Sequence, residues 1–478
     1  MIHHGQLYLR DNVPPRSTHY AKGKFGRLFP LLPPFAADSR GLREKLLEIG
    51  KAGGIMDAND PPPPADPLTP NPNNRDNTTM TAGFTFLGQF LDHDMTHDST
   101  SSLERQNDPE AIENFRTPFL ELDNLYGSGR GVMPHLYDQK SPGSCKFLLD
   151  EGFPRDLPRN SQNIALIGDP RNDENLIVSQ LHLAFLKFHN AVVDYVFSCG
   201  VTNPNEAFDT AQRLVRWHYQ WIIVHEFLPA TVGQKVVDDI LENGRKFYNW
   251  RNEPYIPVEF SVAAYRFGHS QIRPGYIANF NGDNGKEFRV HIFDATLDPN
   301  DPDPNDLSGG KRAPRRFIDW PTFFDLDDGR SKPNKLIDTK LSSPLFQLPF
   351  IAPNMPTNPQ SLAQRNLLRH VTFSLPSGQR VALAMKLPKL DPRDLEDLKD
   401  FGMDTNTPLW FYILREADVM AKGRRLGPVG GRIVAEVFIG LLEGDRMSYL
   451  RQDPEWTPLF GKDDRFTVAD LLRFAGVA

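Results

Sequence analysis

Apolar residues recur at three- and four-residue steps along much of the chain, which is the spacing of one buried face of an α-helix. The clearest stripes run over residues 181–192, 211–225 and 433–442. We expect Pro229 to end the second of these helices, because proline cannot continue a helix. Strict alternation, which indicates a strand, is clearest over residues 379–385. The pattern predicts a mainly α fold with long irregular loops and minimal sheet.

Proline is concentrated in two polar segments, residues 57–75 and 298–314. Such segments favour extended geometry, and neither is flanked by a self-contained periodic unit. We interpret both as surface excursions from a single large domain. The expected organisation is an N-terminal extension with a Pro-rich loop, residues 1–80, wrapped around a main domain that spans residues 81–478.

The chain has 478 residues and a formal net charge of −7, which gives no reason to expect a nucleic-acid partner. No apolar run approaches the ~20 residues of a membrane-spanning helix, so we expect no transmembrane segment. Cys145 and Cys199 are the two cysteines, too few for a disulfide-stapled fold. Without a recognisable secretion signal, the expected location is the cytoplasm, and export by a non-standard route stays open.

One otherwise apolar helical segment carries several polar side chains close together. Gln89 and His93 are one helical turn apart, and Asp92 lies beside them. Burying this set is unfavourable unless the groups have a task. An exposed helix end is one alternative. Another is an HxxxH metal hydrolase built on His93 and His97, although Asp94 stands where that motif needs a glutamate.

Other histidines lie on the apolar stripes. His182 and His189 are seven residues apart, as are His218 and His225. Seven residues is about two helical turns, or ~10 Å, which is too far for joint metal ligation. We interpret these four as core histidines that bind their neighbours through hydrogen bonds. His269, which follows a glycine in a region of mixed pattern, would also be structural if considered alone.

Five motifs in order give the chain a recognisable likeness: LGQFLDHD, TPFLELDNLYGS, GDPRNDEN, RFGH and the stretch over residues 406–450. Over residues 81–450 the sequence resembles the animal-type haem peroxidase superfamily, and within it the bacterial members without long extensions. The resemblance implies a haem peroxidase domain with haem b as cofactor. It also implies reduction of hydrogen peroxide to water through a ferryl intermediate, with oxidation of a small organic or halide donor.

On the distal side of the haem, the resemblance assigns catalytic roles to His93, Gln89 and Arg171. A neutral His93 would take a proton from one peroxide oxygen and return it to the other, and Arg171 would offer fixed positive charge. Asp92 and Glu174 match two carboxylates that form ester links to haem in mammalian relatives. The sequence permits these links without establishing them.

On the proximal side, the resemblance assigns the iron ligand to His269. Asn406 falls where an asparagine accepts a hydrogen bond from the other ring nitrogen of that ligand, which would fix its tautomer. Arg266 matches a partner of a haem propionate.

A calcium site is also implied, next to the distal helix. Its residues would be Asp94, Thr117, Phe119, Glu121 and Asp123. The last four alternate by two, so an extended strand could direct their oxygens to one side, and calcium prefers six to eight oxygen ligands. The alternative is a solvated acidic turn.

Two further alternatives stay open. A fatty-acid dioxygenase of the same superfamily would carry a radical-forming tyrosine three residues before the proximal histidine. Arg266 occupies that position here, and Tyr265 is one residue further back. The other alternative is a scaffold of the same fold that has lost haem.

Overall fold

Helices form the body of the protein in the computed structural model, which describes residues 25–97, 103, 114–250, 253–294, 296, 298, 300–312, 315–352 and 358–478. The α-helices are α1 Arg40–Ile49, α2 Gly83–Met95, α3 Asp123–Tyr126, α4 Leu176–Ser198, α5 Pro204–Ile222, α6 Leu228–Val232, α7 Gln234–Asn243, α8 Gly268–Gln271, α9 Leu362–Thr372, α10 Gly378–Met385, α11 Leu409–Ala421, α12 Pro428–Gly444, α13 Tyr449–Gln452 and α14 Val468–Phe474. This confirms the expected mainly α fold, including the three helices that the apolar stripes predict.

The strands pair only two at a time in the described part of the chain. They are β1 Phe25–Gly26, β2 Asp76–Thr81, β3 Ile256–Pro257, β4 Gly275–Asp283, β5 Lys286–His291 and β6 Pro333–Lys335. β1 pairs in parallel with β3, whereas β2–β6 and β4–β5 are antiparallel pairs. The sheets are therefore small local pairings beside the helical body.

The central helix is α4, which contacts α2, α5 and α14. By length and composition alone α4 is apolar enough to cross a membrane, but most of its apolar stretch is buried inside the protein. Helices α11 and α12 pack against each other and are buried along most of their length. This packing gives the short helices α2 and α8 a rigid setting.

The predicted strand over residues 379–385 is wrong, because this segment lies in helix α10. Val381, Ala382 and Met385 are buried, whereas Leu383 is 76% exposed. The buried residues have the one- and four-residue spacing of a helical face. The apparent alternation arose because exposed Leu383 was counted as a core position.

Pro229 does not end the helical path that follows α5, so that prediction is also wrong. Residues Ile223–Phe227 form a π-helical turn, and Pro229 is the second residue of α6. The first turn of a helix does not need the N–H that proline lacks. The widened turn therefore carries the chain past the proline to Val232.

The segment before the main domain is anchored to it in its described part. Helix α1 packs on α9, and Phe25, Leu46 and Ile49 are buried in the common core. The division at residue 80 stays a prediction. Residues 1–24 and several positions of the predicted excursion over residues 298–314 lie outside the described residues.

Candidate active site

Helices α2 and α8 bring the two predicted haem-facing histidines into one region. The helices are in contact, and the Tyr265 hydroxyl, next to α8, donates to the Gly88 carbonyl of α2 at 2.9 Å. Along the mostly buried α2, Gly88, Gln89 and Asp92 are only partly buried, as is His269 on α8. Burial nevertheless lowers the pKa of His269 to about 3, with a smaller effect of the Arg266 charge. The His269 imidazole is therefore neutral near pH 7.

His93 is buried in the last turn of α2, and its Nδ1 atom lies 2.7 Å from Oδ1 of Asn172. Burial, and next the charge of Arg171, lower the pKa of His93 to about 4. The imidazole is therefore neutral near pH 7. An amide oxygen can only accept, so Nδ1 carries the proton in this arrangement and Nε2 carries the lone pair.

Arg171 lies in the same 3₁₀ turn as Asn172, over Pro170–Asp173. Its guanidinium donates to the carbonyls of His93 at 2.9 Å and Thr96 at 2.7 Å, and to the Asp169 carboxylate. These carbonyls end α2, where helices leave acceptors unpaired. Two of the Arg171 donors thus fix the end of α2, two bind Asp169, and the positive charge lies beside His93.

A buried charge network surrounds this turn. The Asp169 carboxylate contacts the guanidinium groups of Arg171 at 2.7 Å and Arg116, and Arg116 also contacts Asp123 at 3.2 Å. Burial would raise the pKa of Asp169, but the two arginines outweigh it and hold the pKa well below its usual range. The network joins the loop before α3 to the distal turn.

The two carboxylates predicted for ester links are both partly buried. Asp92 accepts a hydrogen bond from the Thr96 hydroxyl at 3.0 Å and is only partly buried. Glu174 follows the 3₁₀ turn of Arg171, and burial raises its pKa well above the usual range, partly offset by the Arg171 charge.

The proximal partner of His269 is Asn366, and the prediction of Asn406 is wrong. The Asn366 Nδ2 atom lies 2.8 Å from Nδ1 of His269, and Asn366 Oδ1 accepts from Arg266 at 3.3 Å. Asn406 instead donates to the Phe35 carbonyl and lines a separate cavity of about 410 Å³. Helix α9 provides the asparagine because its buried face packs beside the π-helical turn Glu259–Ala263 that leads into α8.

Several arginines lie near His269 or on the neighbouring helix α9. Arg266 contacts Asn366, and Arg365 and Arg369 lie on α9 beside it. Burial and the nearby Arg369 charge lower the pKa of Arg365 to about 10. Arg365 is buried and donates to Asn358 and to the Pro359 carbonyl, whereas Arg266 is close enough to His269 for its charge to affect the pKa of that ring. A guanidinium group is suited to a carboxylate of a bound ligand.

The predicted calcium residues lie close together, although not on a strand. Residues 115–121 form bends, Leu122 has a left-handed backbone (φ 60°), and Asp123 begins α3. Asp94 is fully buried, which excludes the solvated alternative for this residue. Its Oδ2 atom accepts from the Leu122 amide and the Tyr219 hydroxyl, whereas Oδ1 has no hydrogen-bond partner among the described residues.

The side chains of the other predicted calcium residues are not gathered around one point. The Thr117 hydroxyl donates to Glu121 at 2.5 Å, and the Asp123 oxygens have no hydrogen-bond donor in the described ranges, although Arg116 is nearby. Phe119 is partly buried in the bend. Within the described residues, no three His, Cys, Asp or Glu side chains are grouped closely enough to hold a metal ion.

The HxxxH alternative loses its structural basis here. Helix α2 ends at Met95, and Thr96 has an extended backbone. His97 therefore does not share a helical face with His93. Its backbone N–H donates to Asn114 at 2.8 Å instead.

Three residues of this region are absent from the sequence-based site: Asn172, His182 and Asn366. Each is a polar residue on a buried face, and Asn172 directly follows the predicted Arg171. His182, His189 and His218 are hydrogen-bonded core residues, as expected. That prediction is wrong for His225, which is exposed, although its Nε2 atom lies 3.1 Å from the Tyr449 hydroxyl. His182 and Asn366 could have been identified from the sequence, because each is a polar residue within an otherwise apolar helical stripe.

Part of the chain matches a known protein family. The family model for the animal haem peroxidase matches residues 101–308, a stretch that contains Arg171, Glu174 and His269 but neither α2 nor α9. A peroxidasin homolog from Caenorhabditis elegans is 23% identical over 359 residues, which cover 70% of this chain and 24% of the relative. The chain thus spans about a quarter of the length of the peroxidasins it matches.

Solved structures share the fold. Peroxidase A from Dictyostelium discoideum superposes with a TM-score of 0.59 at 17% identity, covering 94% of this chain and 92% of that chain. A fatty acid alpha-dioxygenase from Arabidopsis thaliana gives a TM-score of 0.57 at 15% identity, covering 93% and 75%. Residues 101–308 thus match the animal haem peroxidase family, and the chain as a whole is similar to peroxidase relatives and shares the fold of these solved structures.

Proposed function

We propose that the protein is a haem-dependent peroxidase that reduces hydrogen peroxide and oxidises a small organic or halide donor. The observation that carries the proposal is the arrangement of His93 and His269. They lie on contacting helices, and an asparagine amide holds the Nδ1 atom of each ring. This leaves Nε2 at the opposite edge of both imidazoles, which is the atom a haem site requires.

The surrounding residues fit a haem. His269 would be the iron ligand, and Arg266, which contacts Asn366, would meet a propionate. The Asn366 amide would turn so that its oxygen accepts from Nδ1, because iron binding at Nε2 moves the imidazole proton to Nδ1. Ester links through Asp92 and Glu174 belong to the same proposal and are supported by the partial exposure of both carboxylates.

Bound haem would supply an iron with an open coordination position and the electrons for peroxide reduction. The chain supplies proton transfer. His93 is neutral, so its Nε2 lone pair accepts the proton of an arriving peroxide and later returns it to the departing oxygen. Arg171 fixes the end of α2 and adds positive charge beside this path. Gln89, one turn earlier on the same partly exposed stripe, is placed to hydrogen-bond the peroxide or a water.

A calcium ion next to the distal helix is a second part of the proposal. Its support is the Asp94 oxygen that lacks a hydrogen bond, together with the nearby carboxylate of Asp123. Thr117, Phe119 and Glu121 would complete the shell through backbone or side-chain oxygens after the bend adjusts. The ion would join the Asp123 loop to α2.

The test is reconstitution with haem, followed by stopped-flow spectroscopy with hydrogen peroxide. We expect a Soret band and a rapid spectral change on peroxide addition. Bromide, iodide, thiocyanate and a phenol, added in turn, would then identify the donor that restores the starting spectrum. A chain that binds no haem would instead support the scaffold alternative.

Tyr265 keeps a fatty-acid dioxygenase as the second candidate function. Its ring is buried against Phe260 and Phe438, and its hydroxyl touches α2 at Gly88. Structural neighbours include fatty acid alpha-dioxygenases, one of them described with palmitic acid. Oxygen consumption with palmitate that disappears in Tyr265→Phe would favour this function, and peroxide turnover unchanged in Tyr265→Phe would favour the peroxidase.

A further inference from the structure

Two adjacent residues of one 3₁₀ turn hold His93 from different directions. Arg171 donates to the His93 carbonyl at 2.9 Å, and Asn172 accepts from the His93 ring at 2.7 Å. The Asp169 side chain caps this turn by accepting from the Arg171 N–H at 2.9 Å. Backbone and imidazole of His93 are thus fixed by the same rigid unit. The Arg171 contact sets the position of the residue, and the Asn172 contact sets the orientation of its ring.

The Asn172 amide is in turn held by a second histidine. Its Nδ2 atom lies 2.9 Å from Nδ1 of His182 on helix α4, and both residues are fully buried. His182 Nε2 has no hydrogen-bond partner among the described residues, and the ring lies edge-on to Phe90. An apolar side chain would fill this position without leaving a buried nitrogen unpaired. The contact that the His182 imidazole adds is the one to Asn172.

The protons along this chain depend on one another. An amide presents an acceptor on one side and a donor on the other, so the two imidazoles that flank it must have opposite roles at Nδ1. With its oxygen towards His93, Asn172 requires a proton on His93 Nδ1 and a lone pair on His182 Nδ1. Turning the amide over would exchange both tautomers. His93 would then carry its proton on Nε2, where it could not accept one from peroxide.

We propose that His182, through Asn172, is a positioning residue that keeps His93 in the tautomer with a lone pair on Nε2. This inference rests on the proposed peroxidase function. Neither residue touches the reacting atoms in this account. Asn172 selects the tautomer of His93, and His182 selects the orientation of the Asn172 amide.

The test uses the full-length, haem-reconstituted protein in its ferrous carbon monoxide form. The C–O stretching frequency falls when a distal group donates a hydrogen bond to the bound ligand, so infrared spectroscopy reads the state of the His93 Nε2 atom. We expect a single high-frequency band in the wild type. His182→Leu and Asn172→Leu should each add a low-frequency band, and should slow the peroxide reaction by 10-fold or more with haem affinity retained.

Two further variants separate positioning from general damage to the core. His182→Gln offers an amide oxygen that can accept from Asn172, so it should restore the single band and most of the rate. His189→Gln changes another buried histidine of α4, whose partners are Tyr126 and the Cys145 carbonyl, and should leave the band unchanged. Should one leucine variant fail to fold, the other carries the test.

The result that overturns the inference is a low-frequency band in the wild type, or leucine variants with wild-type bands and rates. Failure of the proposed function looks different, because the wild type would then show no Soret band. That outcome removes the basis of the positioning role as well.

Discussion

Asn366 places its amide nitrogen 2.8 Å from Nδ1 of His269, whereas Asn172 places its amide oxygen 2.7 Å from Nδ1 of His93. The two imidazoles thus have the same kind of partner in opposite orientations. On the distal side this leaves a lone pair on Nε2, as a proton acceptor needs. On the His269 side Nε2 carries the proton, and an iron bound at that atom would require the Asn366 amide to turn over so that its oxygen accepts from Nδ1.

Substitution of Asn366 should change the proximal ligand in two separable ways. Asn366→Leu removes the hydrogen bond that orients His269 and should weaken haem binding by about 10–100-fold. Asn366→Asp keeps an acceptor but makes the ligand more anionic, so it should lower the reduction potential of the iron. Haem titration and spectroelectrochemistry measure the two effects. Asn406→Leu is the matched control, and an effect of that variant as large as those at Asn366 would contradict the assignment.

The Asn406 error shows what the sequence could not supply. The distal residues Gln89, Asp92 and His93 lie within one helix, so their mutual positions follow from helical spacing alone. The partner of His269 lies 97 residues away. Choosing between Asn366 and Asn406 required knowing which face of α9 packs beside the π-helical turn that leads into α8. That face depends on tertiary packing, which the sequence pattern does not give.

The same distinction holds for the fold. Long amphipathic helices such as α4 and α5 were predictable because many positions repeat the same spacing. The short α10 was not, since an exposed Leu383 produced a false alternation over seven residues. His182 was correctly predicted to be a core residue, but its link to Asn172 arises where α4 meets the 3₁₀ turn. Periodicity predicts burial and does not identify the buried partner.

Replacement of His93 with Ala should leave haem bound and slow the peroxide reaction. General acid–base catalysis contributes about 10²–10⁴-fold, and the variant should lose a factor in this range. Stopped-flow rates against peroxide concentration, together with the Soret band, distinguish loss of proton transfer from loss of haem. A ferric protein that reacts with peroxide at the wild-type rate after this substitution would exclude His93 as the proton acceptor.

His189 should make folding stability depend on pH. Burial lowers its pKa to about 4, whereas the unfolded chain has the ordinary value near 6.5. Between these values the unfolded state binds the extra proton, so this contribution to stability is complete above about pH 6.5 and is lost as the pH falls towards 4. His189→Gln should reduce the slope of the unfolding free energy in this window by up to ~1.4 kcal/mol per pH unit.

Urea unfolding of the wild type and His189→Gln at several pH values between about 4 and 7 gives that slope. Comparing the two proteins cancels the contributions of buried carboxyls such as Glu174, whose raised pKa acts in the opposite direction. Parallel pH profiles for the two proteins would show that His189 titrates normally when folded.

Calcium should stabilise the wild type and fail to stabilise Asp94→Asn. A ligand at 100 times its Kd adds about 2.7 kcal/mol to the free energy of unfolding. Thermal unfolding with calcium and with a chelator measures the difference. Glu226→Gln is the control, because Glu226 is a partly buried carboxylate with a raised pKa that accepts from the Val468 amide outside this loop. An equal calcium response of Asp94→Asn and the wild type would place the ion elsewhere.

Arg171 should contribute to stability as well as to the reaction, since its guanidinium joins Asp169 to the last carbonyls of α2. Removing one partner of a buried ion pair typically costs ~3–5 kcal/mol, and Arg171→Gln should fall at the lower end because Arg116 still pairs with Asp169. The double variant Arg171→Gln/Asp169→Asn should lose less unfolding free energy than the two single variants lose together. The difference is the coupling energy, which we expect to be ~0.5–3 kcal/mol. Urea unfolding of the four proteins measures this cycle. Strictly additive losses would mean that the two side chains stabilise the distal turn independently, and the contact between them would then have no energetic role in fixing His93.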